Sequence, residues 1–154
     1  MFESADVAAM LRLNAADETF LAPLDEPGMR ALLRQAFHLG LRANGRDAFL
    51  IALDQRALYG SPNFRWFRQR YSRFVYVDRV IVAPHLRGQG LGRSLYEELF
   101  DACRAAGHDL VACEVNVDPP NPASDSFHRA LGFEEVGRAV VYVSKTVRYL
   151  TKRL

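Results

Sequence analysis

The chain has 154 residues, 49% hydrophobic and 25% charged, enough for one domain with a substantial core and too few for two of ordinary size. Lys plus Arg number 20 against 18 for Asp plus Glu, a formal net charge of +2. No overall charge therefore draws the protein toward nucleic acid or a membrane surface, and the composition excludes long disorder.

At the N-terminus, "MFES" is too short for a strand. Asp6 then precedes Val7, Met10, Leu11 and Asn14 at helical spacing, which predicts a short amphipathic helix. No basic stretch leads into an apolar core here, and no apolar run nears the roughly 20 residues that cross a bilayer. A soluble, reducing, cytoplasmic setting is expected. In "MRALLRQAFHLGLRANG" the apolar residues Leu32, Leu33, Ala36, Phe37 and Leu41 predict a second helix, ended by Asn44-Gly45, with His38 partly exposed beside its apolar face.

"DAFLIALD" reads as a strand buried on both faces. The segment "QRALYGSPNFRWFRQRYSRF" carries five arginines among six aromatics; Gly60, Ser61, Pro62 and Asn63 interrupt any helix, so an irregular excursion is expected. "VYVDRVIVA" is a strand, "LGRSLYEELFDACRAAG" an amphipathic helix and "DLVACEVNV" a strand again. A helix between two buried strands makes a βαβ unit with parallel strands and a right-handed crossover. Asn121 and Pro122 form an N-cap and N1 pair opening a helix from Ala123 to Leu131, closed by Gly132. Two strands, about Glu134 to Tyr142 and Lys145 to Lys152, complete the chain as an antiparallel hairpin. The two cysteines, Cys103 and Cys113, and four scattered histidines lack ligand spacing, so no metal site is expected.

The chemistry concentrates in "RVIVAPHLRGQGLGRSLYEELF", where Gly88, Gly90 and Gly92 separate strand from helix. No lysine follows them as a nucleotide P-loop requires, and their spacing is not the dinucleotide fingerprint. What remains is a turn whose backbone amides gather at a helix N-terminus and suit a phosphate or pyrophosphate, with Arg87 and Arg93 beside it. A tight strand-to-helix turn without a ligand is the competing reading.

At these residues the sequence resembles the GCN5-related N-acetyltransferase (GNAT) superfamily. Arg87-Gly88-Gln89-Gly90-Leu91-Gly92 matches its R/Q-x-x-G-x-G/A signature, and Asn121, Ala123, His128, Gly132 and Phe133 meet its second motif. Together the matches run from about Phe74 to Val136. The resemblance implies a single-domain α/β fold over residues 1–154: a mixed central sheet with one clear βαβ unit, flanking helices, and parallel strands splayed at a cofactor cleft. It also implies acetyl-CoA as co-substrate, with the pyrophosphate on the amides of Gly88, Gln89, Gly90, Leu91, Gly92 and Arg93. The pantetheine arm would lie on the backbone of Val80 and Val82 and against Asn121. The activity implied is acetyl transfer to a primary amine of a small molecule or peptide, by direct attack in a ternary complex and without a metal. The family normally begins with a strand, which is absent from the pattern here.

Such chemistry needs a base for the amine and a proton for the departing sulfur. Asp78, expected on the same strand face as Val82, and Glu114, at the corresponding level of the neighbouring strand, are the candidate bases; each also reads as a carboxylate paired with an arginine. His128 stands where the family usually carries a tyrosine acid, and imidazole can donate a proton. Otherwise that role passes to Ser124, Ser126 or water, and His128 faces solvent. Tyr59 and Trp66 of the excursion, with Tyr76 of the next strand, are expected to wall the acceptor side, unless the excursion merely caps the sheet. Its arginines would favour an acceptor bearing a carboxylate or phosphate. Nucleic acid and membrane partners are not expected, and a homodimer is left open. A non-catalytic acetyl-CoA or CoA-binding sensor or interaction module is the principal alternative, and a nucleotide-binding domain a second.

Overall fold

A computed structural model of the protein describes residues 4–17 and 21–154; most of the "MFES" segment lies outside them. In chain order the elements are α1 (Val7–Ala16), α2 (Glu26–Gln35), β1 (His38–Arg42), β2 (Ala48–Asp54), α3 (Pro62–Arg68), β3 (Val75–Val82), α4 (Leu91–Ala105), β4 (Leu110–Asp118), α5 (Pro122–Ala130), β5 (Glu134–Val141) and β6 (Lys145–Arg153).

The six strands form one mixed sheet in the order β1-β2-β3-β4-β6-β5. Every neighbouring pair is antiparallel except β3 and β4, the two strands that flank α4 in sequence, which run parallel as the βαβ pattern predicts. That parallel contact is short: Val75 pairs with Val111 and Tyr76 with Ala112, and the register goes no further. The strands splay beyond it.

Strand alternation divides the core between two faces. Phe49, Ile51 and Leu53 of β2 pack with Met10 of α1, Leu32 and Leu33 of α2, and Phe64 and Phe67 of α3. Ala48, Leu50 and Ala52 pack on the opposite face with Leu95, Tyr96, Leu99 and Phe100 of α4. All seven residues of β2 are buried, as its continuous apolar run predicts.

Two segments differ from the expectation. The second helix begins earlier, at Glu26, because the Asp25 carboxylate accepts from the Gly28 amide at 2.8 Å and Pro27 suits the first turn. It also stops at Gln35. The next residues are not helical but form β1, with Gly40 paired to Leu50 and the Phe37 amide donating to Ala52 across the sheet. Asn44 and Gly45, with φ of 58° and 96°, turn the chain between β1 and β2 instead of ending a helix. His38 therefore lies on a strand, its Nε2 3.2 Å from the Glu98 carboxylate of α4.

The second difference is α3, which replaces the irregular excursion. Ser61 caps it and Pro62 opens it, so the residues read as breakers are its start signal.

Candidate active site

The turn between β3 and α4 borders a cavity of about 610 Å³ that opens where β3 and β4 part. Gly88 and Gly90 have φ of 81° and 82°, a left-handed conformation that glycine adopts without strain. A Cβ built at either would meet no atom within 4 Å, so their backbone faces open space. Side chains of Asp6, Asp25, Ser61 and Asn121 cap the other four α-helices, whereas α4 starts at Gly90 with no side-chain cap. Its first amides are left to an outside acceptor.

Of the residues expected to hold a cofactor, Val80, Val82, Arg87, Gly88, Gly90, Leu91, Gly92, Arg93 and Asn121 line this cavity. Gln89 does not. Asn121 also caps α5, accepting from the Ser124 amide at 3.4 Å. Arg87 Nη2 donates to Asp17 at the end of α1 at 3.0 Å, so one of the two expected phosphate partners already holds a carboxylate.

Asp78 sits at a β-bulge. Arg79 pairs with Ile51 and Val77 with Ala52, leaving Asp78 as the extra residue. The expected alternation is broken, and Asp78 does not share the face of Val82. Its carboxylate accepts from the Tyr59 hydroxyl at 2.6 Å and from Arg79 Nε at 2.6 Å, with both charged side chains buried. Arg79 in turn donates to Asn14 of α1. Asp78 is thus an ion-paired carboxylate, as one of the two readings holds.

Among the described residues Glu114 makes no ion pair. It accepts from the Tyr76 hydroxyl at 2.7 and 2.9 Å and from Asn63 Nδ2 at 3.1 Å, while Tyr149 donates to Asn63 Oδ1 at 2.9 Å. Burial drives its carboxyl upward, to about 7, despite the opposing hydrogen bond from Tyr76. Asp78 and Glu114 both border the first cavity and a second of about 350 Å³. Tyr59 and Tyr76, expected on the acceptor wall, line this second space.

Trp66 lies elsewhere, stacked on Tyr149 at 4.2 Å between ring centroids, with the Arg70 guanidinium 3.8 Å from its own. It caps the sheet. Three other arginines of α3 and its flanks are engaged elsewhere: Arg56 pairs with Asp54, Arg68 donates to the Ala57 carbonyl and Arg73 to the Ala106 carbonyl.

His128 is buried rather than solvated, 4% exposed. One ring nitrogen, Nδ1, lies 2.7 Å from the Ser124 carbonyl, which can only accept, so Nδ1 carries the proton. The other, Nε2, then accepts from the Tyr96 hydroxyl at 2.7 Å. Burial lowers the ring's affinity for a second proton. His128 is therefore a neutral ring with both nitrogens occupied. Sequence reasoning missed Tyr96, which reads as an ordinary position of an amphipathic helix, and Asn63, which reads as a helix breaker; only the folded neighbours give them a role.

Comparison with known proteins follows the same lines. The Acetyltransferase (GNAT) family model matches residues 12–133. The chain is 32% identical over 116 residues to phosphinothricin N-acetyltransferase of Alcaligenes faecalis, covering 75% of this chain and 55% of that protein. It thus spans about half the length of that curated relative. Among solved structures, ribosomal-protein-alanine N-acetyltransferase from Brucella melitensis superposes with a TM-score of 0.68 at 23% identity, over 98% of this chain and 96% of that one. The yncA protein of Salmonella typhimurium, solved with its cofactor acetyl-CoA, gives 0.69 at 21% identity over 99% and 90%. At these identities the structural likeness is one of fold.

Proposed function

The chain belongs to the GNAT acetyltransferase family, and from that membership we propose that it is an acetyl-CoA-dependent N-acetyltransferase acting on a primary amine of a small molecule or peptide. The observation that carries the reading is Glu114: a carboxyl raised by burial to about 7, with no ion pair among the described residues, where two cavities meet. A general base works best when its affinity for protons matches the operating pH.

The larger cavity suits acetyl-CoA. The uncapped start of α4 and the open backbone at Gly88 and Gly90 suit its pyrophosphate, and Val80, Val82 and Asn121 would border the pantetheine arm. Bound there, acetyl-CoA supplies an activated acetyl thioester for direct attack by the amine in a ternary complex.

Glu114 takes the amine's proton, and Tyr76 and Asn63 fix the orientation of its carboxylate. Asp78, ion-paired with Arg79 and accepting from Tyr59, serves as a structural carboxylate that braces the wall of the junction. His128 holds the Tyr96 hydroxyl at the cavity wall. With its Nδ1 proton committed to Ser124, a proton delivered at this wall comes from Tyr96, Ser124 or solvent.

The occupied ring of His128 also favours a second reading, a non-catalytic acetyl-CoA or CoA-binding sensor or interaction module. Two measurements separate the readings. Acetyl-CoA at 100 times its dissociation constant should stabilise the protein by about 2.7 kcal/mol, with NAD and ATP doing little. Release of free CoA thiol with a panel of amines should then show turnover. Stabilisation without thiol release for any amine selects the sensor, and no stabilisation removes both.

A further inference from the structure

We propose that the second cavity contains an anion subsite formed by Lys145 and Asn116, and that the acceptor is a small amine carrying a carboxylate several bonds away. The inference rests on the acetyltransferase reading and adds the acceptor's class to it.

Charge along the cavity is uneven. Its charged lining residues are Asp78, Arg79, Glu114 and Lys145. Asp78 and Arg79 neutralise one another, and Glu114 is the proposed base. Lys145, the first residue of β6, makes no ion pair or side-chain hydrogen bond among the described residues. It is a cation free to meet a ligand's charge.

A second observation comes from Asn116, which borders both cavities. Three buried side-chain nitrogens lack a hydrogen bond among the described residues. Two of them, in His38 and Arg148, lie within ion-pair reach of Glu98 and Glu135. Asn116 Nδ2 has neither kind of partner, and an orphaned buried donor calls for an acceptor. Lys145 and Asn116 together present donors and no competing carboxylate.

The strand register gives the spacing. Glu114 stands opposite Tyr149 and Asn116 opposite Val147, with Lys145 two residues further along β6. Four residues of strand separate the base's level from that of Lys145, roughly 13 Å between backbones. Even with the lysine side chain reaching back, an anion at this subsite sits well beyond the carbon next to the amine. The cavity of about 350 Å³ falls at the small end of the range for metabolite sites. The positive charge thus comes from the β5–β6 hairpin, not from the arginines around α3.

The test compares glycine, γ-aminobutyrate and 5-aminovalerate with their carboxamides, following CoA release at equal concentrations of free amine. The two longer acids should exceed their amides by about tenfold or more in kcat/KM, because the amide leaves Lys145 without an anion; glycine should show less preference. Lys145→Ala should erase the preference through KM, Lys145→Arg should retain most of it, and Asn116→Ala should narrow it. Equal turnover of acids and amides by the wild type, or a preference that survives Lys145→Ala, overturns the subsite while leaving the acetyltransferase reading intact. Absence of turnover with every amine, when acetyl-CoA still stabilises the protein, overturns both.

Discussion

Asp78 and Glu114 border the same two cavities, yet their surroundings differ. Asp78 is held by a guanidinium, whereas Glu114 is held by neutral donors, so burial raises it to about 7. A base is active when deprotonated, so kcat should rise as pH climbs through about 7. Glu114→Gln should lower kcat on the order of 100- to 10,000-fold, with acetyl-CoA binding preserved. Stability should move the other way. Between its ordinary value of 4.5 and about 7, the folded protein keeps a proton at Glu114 that the unfolded chain has lost, so stability falls as pH rises across that window. Glu114→Gln should thus gain on the order of 1–3 kcal/mol at pH 8, read from urea unfolding. His128 gives the contrasting case. His128→Phe strands the Tyr96 hydroxyl and should cost about 1–3 kcal/mol, but the limb of the pH–rate profile near 7 should remain. Its disappearance in that variant would move the base assignment to the histidine. The sequence singles out both carboxylates, but not which carries an arginine; that depends on a bulge invisible in the pattern "VYVDRV".

At the scale of elements, the start of α4 is the feature most open to experiment. It gives up a side-chain cap, a loss worth about 0.5–2 kcal/mol, and leaves its amides facing the larger cavity. Gly90→Val would force a β-branched residue to φ near 82° and project methyl groups into the open space beside the turn. The strain, about 1–3 kcal/mol, should lower Tm by several degrees without unfolding the protein, and the acetyl-CoA-induced shift in Tm should vanish. A retained shift would take the turn out of the site. This turn was readable because three glycines between a strand and a helix have few other uses. β1 was not: Leu39 and Leu41 fit a helix face as easily as alternation, and only pairing with β2 decides between them. Nor was α3, since Ser-Pro marks a turn and a helix start alike.

For the whole molecule, the decisive arrangement is the split between β3 and β4. The larger cavity is bordered by Val80, Tyr96 and Phe127 and extends to Asp17 and Leu21 past the end of α1, and the smaller lies beside Tyr59, Tyr76 and Val147. Leu21, Asp78, Arg79, Glu114 and Asn116 border both, so the two cavities adjoin where the strands part. The βαβ pattern predicts parallel strands there. They share two residue pairs, Val75 with Val111 and Tyr76 with Ala112, before parting, and no local pattern in the sequence records where that pairing ends.

Two adjoining cavities, one for each reactant of the proposed transfer, would leave a signature in steady-state kinetics. With a cavity apiece, neither reactant would need the other to leave before it enters, and each product would depart from the cavity its parent occupied. Free CoA should compete with acetyl-CoA while acting as a noncompetitive inhibitor toward the amine, and the N-acetylated product should show the mirror pattern. Double-reciprocal plots at several fixed inhibitor concentrations would read this directly. Competition between CoA and the amine would mean that the two bind in one cavity.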